Sequence, residues 1–186
     1  LTYGIGADAD VRAEALRLTS DGSQFMVTWN NERHDYSIPL AGRHNVSNAL
    51  AALAAGFVLG YTPQEMQTGL RRLAVTKMRY EVHEVGAWTF INDAYNASPS
   101  SMAAALETTA NLYEGRKIAV LGDMLELGDA AEEAHRTIGR RTAELGFAAL
   151  VTYGPQSQWM HTAAEAAGCP VCCHAETHEA AAAHLR

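Results

Sequence analysis

Trp88-Thr-Phe-Ile-Asn-Asp-Ala-Tyr-Asn-Ala-Ser-Pro-Ser-Ser-Met102 passes from an apolar segment through a polar turn into a helix with a defined start. Trp88, Phe90 and Ile91 favour a pleated, largely buried strand, Ser98 is placed to cap orphan backbone N–H groups, and Pro99 suits a first helical position. The turn between them presents Asp93, Tyr95 and Asn96 at the carboxyl end of a strand, beside the positive end of a helix. Open α/β sheets bind phosphorylated ligands at such places. Asp and Asn also bond their own backbone two residues on, so plain turn formation is an equally physical role for Asp93 and Asn96.

Downstream of this stretch strands and helices alternate. Helical patterns at 99–113, 130–145, 157–167 and after Thr177 are interleaved with short apolar runs at 117–121, 149–153 and 170–173. That order predicts a mostly parallel sheet with right-handed crossovers. Ile118 to Leu121 is apolar at every position, as an interior parallel strand should be. It runs into Gly122-Asp-Met-Leu-Glu-Leu-Gly128, a second loop at the same sheet edge. Its two carboxylates suit a metal ion or an ammonium group, and equally a glycine-bracketed turn with solvated charges.

Upstream, strand patterns at 11–18, 24–29 and 34–40 are separated by Asp21-Gly22 and Asn30-Asn31, both hairpin-type pairs. Gly42-Arg-His-Asn-Val-Ser-Asn-Ala-Leu-Ala-Ala52 then opens an alanine-rich helix with Val46, Leu50, Leu53, Phe57 and Val58 at helical spacing. His44, Asn45 and Asn48 fall at or near its first turn. Asn45 is an ordinary capping residue, whereas Asn48 lies three residues on, on the same side. Paired carboxamides there can donate to and accept from a heterocycle edge. Thr62-Pro63-Gln64-Glu65 starts a further helix as a capping box, with a stripe of Met66, Leu70 and Leu73. A hairpin over 80–92 follows, and a domain boundary is expected at 74–78, giving domains 1–76 and 77–186.

The net charge of -7, with 14 scattered basic residues, leaves no footprint for nucleic acid or an anionic membrane. No apolar run approaches the roughly 18 to 20 residues of a membrane span, and residues 1–20 lack a signal-peptide pattern. A cytoplasmic protein is expected. Cys169, Cys172 and Cys173 do not make a disulfide framework, and with His174 and His178 they form a cluster whose strand geometry turns neighbouring side chains to opposite faces. Structural thiols are expected rather than a zinc site. The apolar strand end at Leu1 suggests further sequence before it, and the helix near Leu185 reads as cut short.

Three passages, 42–52, Asn92-Asp-Ala-Tyr-Asn-Ala-Ser-Pro99 and Val120-Leu-Gly-Asp-Met-Leu-Glu-Leu-Gly128, resemble the Mur ligase family, in the right order and at the right intervals. The last two resemble its branch that adds D-alanyl-D-alanine to UDP-N-acetylmuramoyl-tripeptide. The resemblance implies the end of a central ATPase domain followed by most of a Rossmann-like carboxyl-terminal domain. It implies nucleotide contacts from His44, Asn45 and Asn48, from Arg79 on the phosphates and from Asp93 on the ribose hydroxyls, with Tyr95 and Asn96 facing substrate. It further implies ATP and Mg2+, peptidoglycan synthesis in the cytoplasm, an acyl-phosphate route to an amide, and a monomer. One departure stands out: the only lysines are Lys77 and Lys117, neither in a Gly-x-x-Gly-Lys-Thr phosphate loop. The family's upstream metal ligands are missing too, so the chain alone is expected to be inactive. The competing expectations are another Mur-type or folylpolyglutamate-type amide ligase, and a non-catalytic nucleotide-binding module.

Overall fold

The computed structural model describes every residue except Ala7, Val75 and Arg186. Its chain forms two compact units, Leu1–Ile91 and Asn92–Arg186. In the first, β1 (Tyr3–Ile5), β2 (Val11–Thr19), β3 (Gly22–Trp29) and β4 (Glu32–Ile38) lie side by side in sequence order. β1 runs parallel to β2, and the other neighbours are antiparallel. Asn30 and Asn31 both take positive φ (48° and 64°), the geometry that lets a two-residue turn follow the strand twist. The first hairpin turns one residue earlier than expected, so that Gly22 already opens β3.

Alternation decides which face is buried. Val11, Ala13, Phe25, Val27, Tyr36 and Ile38 point inward and meet Val46, Leu50 and Leu53 of α1 (Arg43–Val58). Phe57 stacks on Trp29 at 5.3 Å. Val58, expected in the same stripe, is exposed, because the helix ends there. α2 (Pro63–Arg71) begins with the expected reciprocal cap: Thr62 N–H donates to Glu65 Oε2 at 2.9 Å and Glu65 N–H to Thr62 Oγ1 at 3.3 Å. The Thr62 hydroxyl, which donates to the same Glu65 oxygen at 2.7 Å, and then the Thr62 N–H hold the Glu65 carboxyl below its usual range. Leu70 is buried, while Leu73 lies beyond the helix and is exposed.

Between 76 and 80 the backbone is strained. Met78 and Tyr80 have φ of 58° and 52°, which side chains with a Cβ rarely adopt. The expected boundary at 74–78 falls just before this turn; Val75 itself lies outside the described residues. β5 (Glu81–Val85) and β6 (Trp88–Asn92) then pair as a separate two-stranded sheet. Here the structure corrects the expectation of a buried strand, since Trp88 and Phe90 are 62% and 59% exposed. Burying the face of a sheet takes another layer packed on it, and the apolar pattern of one strand does not say whether there is one.

The second unit holds a parallel sheet of β7 (Ile118–Gly122), β8 (Ala149–Tyr153) and β9 (Cys172–Ala175), in that order. β8, not β7, is the interior strand, with Ala149 to Thr152 all buried. With β6 paired elsewhere β7 is an edge, and Val120 is half exposed. α3 (Pro99–Leu112), α4 (Ala131–Glu144), α5 (Ser157–Ala166) and α6 (His178–Ala183) complete the alternation. α4 lies so close to α5 that a Cβ at Gly139 would collide with the Met160 carbonyl. Arg141 of α4 donates to Glu107 of α3 at 2.7 and 3.1 Å.

Candidate functional site

The expected site residues fall into two groups, one on each unit, with Arg79 at the strained turn. In the first unit, Gly42 takes φ 96° to enter α1, and no side chain caps the helix. No acidic residue occupies its first turn, so the positive helix end is not neutralised from within. His44 and Asn45 are half-buried and Asn48 is exposed. Asn45 Nδ2 donates to the Ala41 carbonyl at 2.8 Å, which pins the carboxamide and leaves its oxygen and one N–H to face a ligand. This donor set fits a nucleotide. A metal is a different matter: among the described residues no three His, Cys, Asp or Glu side chains group around a common point, so no magnesium site is assigned. Arg79 N–H closes the strained turn onto the Thr76 carbonyl at 3.1 Å. Glu81 accepts from Met78 N–H at 3.1 Å, and that bond holds its carboxyl below the usual range.

In the second unit, the turn after β6 is built by local bonds. Asn92 Oδ1 accepts from Ala94 N–H at 3.3 Å, and Asn96 Oδ1 from Ala97 N–H at 2.9 Å. Ser98 caps α3 by accepting from Ser101 N–H at 3.3 Å, and Ser101 Oγ accepts in return from Ser98 N–H at 3.1 Å. Asp93 is half-buried, and Tyr95 and Asn96 are exposed.

The loop after β7 is held differently. Asp123 Oδ1 accepts from Ser157 N–H at 2.6 Å and so caps α5. Gly154, φ 108°, lies so near that an added Cβ would sit 2.6 Å from the carboxylate. Met124 is fully buried, and its N–H donates to His135 Nε2 at 3.0 Å. Of the two carboxylates in this loop, Asp123 is therefore committed to the fold and Glu126 remains exposed, beside Leu125 at 64% exposure. His135, Ser157 and Gly154 were not singled out from sequence. His135, Ile138 and Thr142 are all buried, and their helical spacing is the signal that places His135 on the inward stripe.

The cysteine-histidine segment does not converge. Cys169 is buried, Cys172 and Cys173 are half-buried, and all three are free thiols. Burial, then the neighbouring Cys169, pushes the Cys172 thiol up to about 12. That leaves almost no thiolate at neutral pH for metal binding or nucleophilic attack. His174 Nδ1 instead lies 2.9 Å from Thr152 Oγ1.

A parallel sheet whose loops gather at the strands' carboxyl ends, in a chain that also carries a sheet-backed helix with an open N-terminus, is the architecture of a nucleotide-handling α/β protein. Residues 78–186 match the glutamate ligase domain of Mur ligases, and residues 1–56 match the Mur ligase middle domain. The chain belongs to the Mur ligase family. It is 41% identical over 155 residues to the UDP-N-acetylmuramoyl-tripeptide--D-alanyl-D-alanine ligase of Bacillus subtilis, covering 82% of this chain and 34% of that one. Against the Escherichia coli enzyme of the same name it is 34% identical, covering 84% of this chain and 35% of that one. The structure of MurF from Acinetobacter baumannii superposes with a TM-score of 0.86 at 31% identity, over 98% of this chain and 39% of that one. This chain thus spans about a third of the length of the curated relatives it matches. No helix among the described residues is long and apolar enough to cross a membrane.

Proposed function

We propose that this chain is the nucleotide-closing and acceptor-presenting part of an ATP-dependent ligase that joins D-alanyl-D-alanine to UDP-N-acetylmuramoyl-tripeptide in the cytoplasm. The observation that supports this most is the pair of loops, 92–98 and 122–128, each following a strand and leading into a helix. They are the two passages that resemble the D-alanyl-D-alanine-adding branch, and the relatives of that name align over most of the chain.

In this reading the uncapped start of α1, with His44, Asn45 and Asn48, receives the adenine. Arg79 supplies a permanently charged fork of donors to phosphate oxygens. Asp93 accepts from the ribose hydroxyls, since a carboxylate can take bonds from two vicinal hydroxyls at once. Tyr95 and Asn96, exposed on that turn, face substrate. Mg2+ and the phosphate loop belong to parts of the enzyme that these residues do not supply. The reaction first makes an acyl phosphate of the peptide carboxylate, with ADP leaving. The dipeptide amine then attacks the acyl carbon, forming the amide, expelling phosphate and releasing a proton. Positioning and charge neutralisation carry most of such a reaction. The enzyme works as a monomer. Titration calorimetry on the chain alone should find ATP binding no tighter than roughly millimolar, about -4 kcal/mol.

A chimera tests the reading: this chain replaces the corresponding segment of the Bacillus subtilis relative, and ADP release is followed with each acceptor. The expected result is turnover that depends on D-alanyl-D-alanine. Turnover with L-alanine or L-glutamate in its place would overturn the assignment in favour of another amide ligase, and a chimera that binds ATP without any turnover would favour the non-catalytic module.

A further inference from the structure

The imidazole of His135 is fully buried on α4 and belongs to none of the roles above. Its two nitrogens have opposite duties. Nε2 accepts from Met124 N–H at 3.0 Å, and so carries no proton. Nδ1 lies 2.7 Å from the carbonyl of Ala131, one helical turn back, and so carries the proton that it donates there. The ring is thereby fixed as the neutral Nδ1–H tautomer. Its face is closed by Trp159 of α5, in an edge-on contact at 6.0 Å and 67°.

The consequence lies in the loop. Glu126 has φ 62°, a conformation that a residue with a Cβ adopts only when its surroundings impose it. The stem on its amino-terminal side is fixed at two successive residues, Asp123 on the Ser157 N–H and Met124 on His135. The Met124 side chain is sealed in the core, and Leu127 packs against that core from the other side of the tip. What the anchored stem displays is an exposed leucine next to an exposed carboxylate. That pair suits a small primary ammonium group carrying a short apolar side chain.

We propose that His135 is a positioning residue: its unprotonated Nε2 latches the loop through Met124 so that Leu125 and Glu126 are held ready for the amino end of the acceptor dipeptide. The second half of this rests on the ligase reading above; the latch itself does not.

Three measurements test it. In the chain as it stands, nitrogen-15 spectra of the imidazole should show Nδ1 protonated and Nε2 bare; an Nε2–H ring would overturn the latch without reference to any activity. His135→Leu removes the acceptor at similar volume, and His135→Gln returns an oxygen near the Nε2 position. Amide exchange at Met124 should accelerate at least roughly tenfold in the leucine variant and recover largely in the glutamine variant, while Leu150 and Val151 on β8 stay protected. Unchanged Met124 exchange, or an equal loss of protection across β8, would overturn it. In the chimera, His135→Leu should raise KM for the dipeptide roughly tenfold, with KM for ATP little altered and His135→Gln restoring most of the loss. An unchanged dipeptide KM beside a loosened loop would overturn the positioning role and leave the ligase reading intact. A parent chimera inactive with every acceptor would instead count against the ligase reading alone.

Discussion

Asp93 and Asp123 occupy the same kind of place, directly after a strand and ahead of a helix, yet the turns around them are built differently. Around Asp93 the backbone bonds of the turn are made by Asn92, Asn96 and the Ser98–Ser101 cap, none of which needs a charge. Asp123 is itself the cap: its carboxylate takes the Ser157 N–H of another helix at 2.6 Å, with Gly154 pressed against it. Equivalent positions on a fold are therefore not equivalent in chemistry. A carboxylate spent on a helix end cannot also serve a ligand.

The contrast is sharpest in the effect of neutralising each group. Asp93→Asn in the chimera should lower kcat/KM for ATP roughly ten- to a hundredfold, since a charge-assisted pair of bonds is reduced to one neutral acceptor. Its unfolding midpoint should barely move; steady-state kinetics and a thermal scan on one preparation check both. Gly154→Ala comes next. A Cβ there meets both an unfavourable φ of 108° and the Asp123 carboxylate. A stability loss of about 2 kcal/mol is expected in urea unfolding. Combined with Asp123→Ala the added cost should shrink, because the atoms in conflict are gone. Asp123→Ala alone should cost about 1 kcal/mol, the usual worth of a helix cap.

The smallest effect at neutral pH belongs to the first unit and serves as a reference. The Tyr36 hydroxyl is buried, with no hydrogen-bond partner among the described residues. Tyr36→Phe should change stability by less than about 0.5 kcal/mol, or raise it slightly, since a desolvated unpaired hydroxyl contributes nothing. The same burial pushes the Tyr36 phenol up to about 12. The fold thus favours the protonated form, so stability is unaffected below the unfolded value of 10 and falls as pH rises from 10 through 12. Over that window the wild type should lose roughly 2 kcal/mol that the phenylalanine variant keeps.

Much of this architecture was legible in the sequence. The capping box at Thr62, the cap at Ser98, the Asn30-Asn31 turn and the alternation from Pro99 onward all act through local chemistry, and all formed. What sequence could not supply was pairing at a distance. Ile118 to Leu121 reads the same whether a strand lies on one side or both, so β7 looked interior although it is an edge. Nor could the sequence say whether another layer covers Trp88 and Phe90, which are exposed. The loop at 122–128 showed two carboxylates and offered no way to rank them. That ranking depends on Ser157 and Gly154, more than thirty residues away, and on a histidine whose partner is a backbone N–H.

The division of labour between the two aspartates is tested most directly by a double-mutant cycle in the chimera: Asp93→Asn, Asp123→Asn and the pair together, each read by kcat/KM for ATP and by unfolding midpoint. The expected result is segregation, with the kinetic loss following Asp93, the midpoint loss following Asp123, and the double variant showing the simple sum of each. A kinetic loss that follows Asp123, or a midpoint that falls with Asp93→Asn while ATP kinetics stay intact, would contradict it.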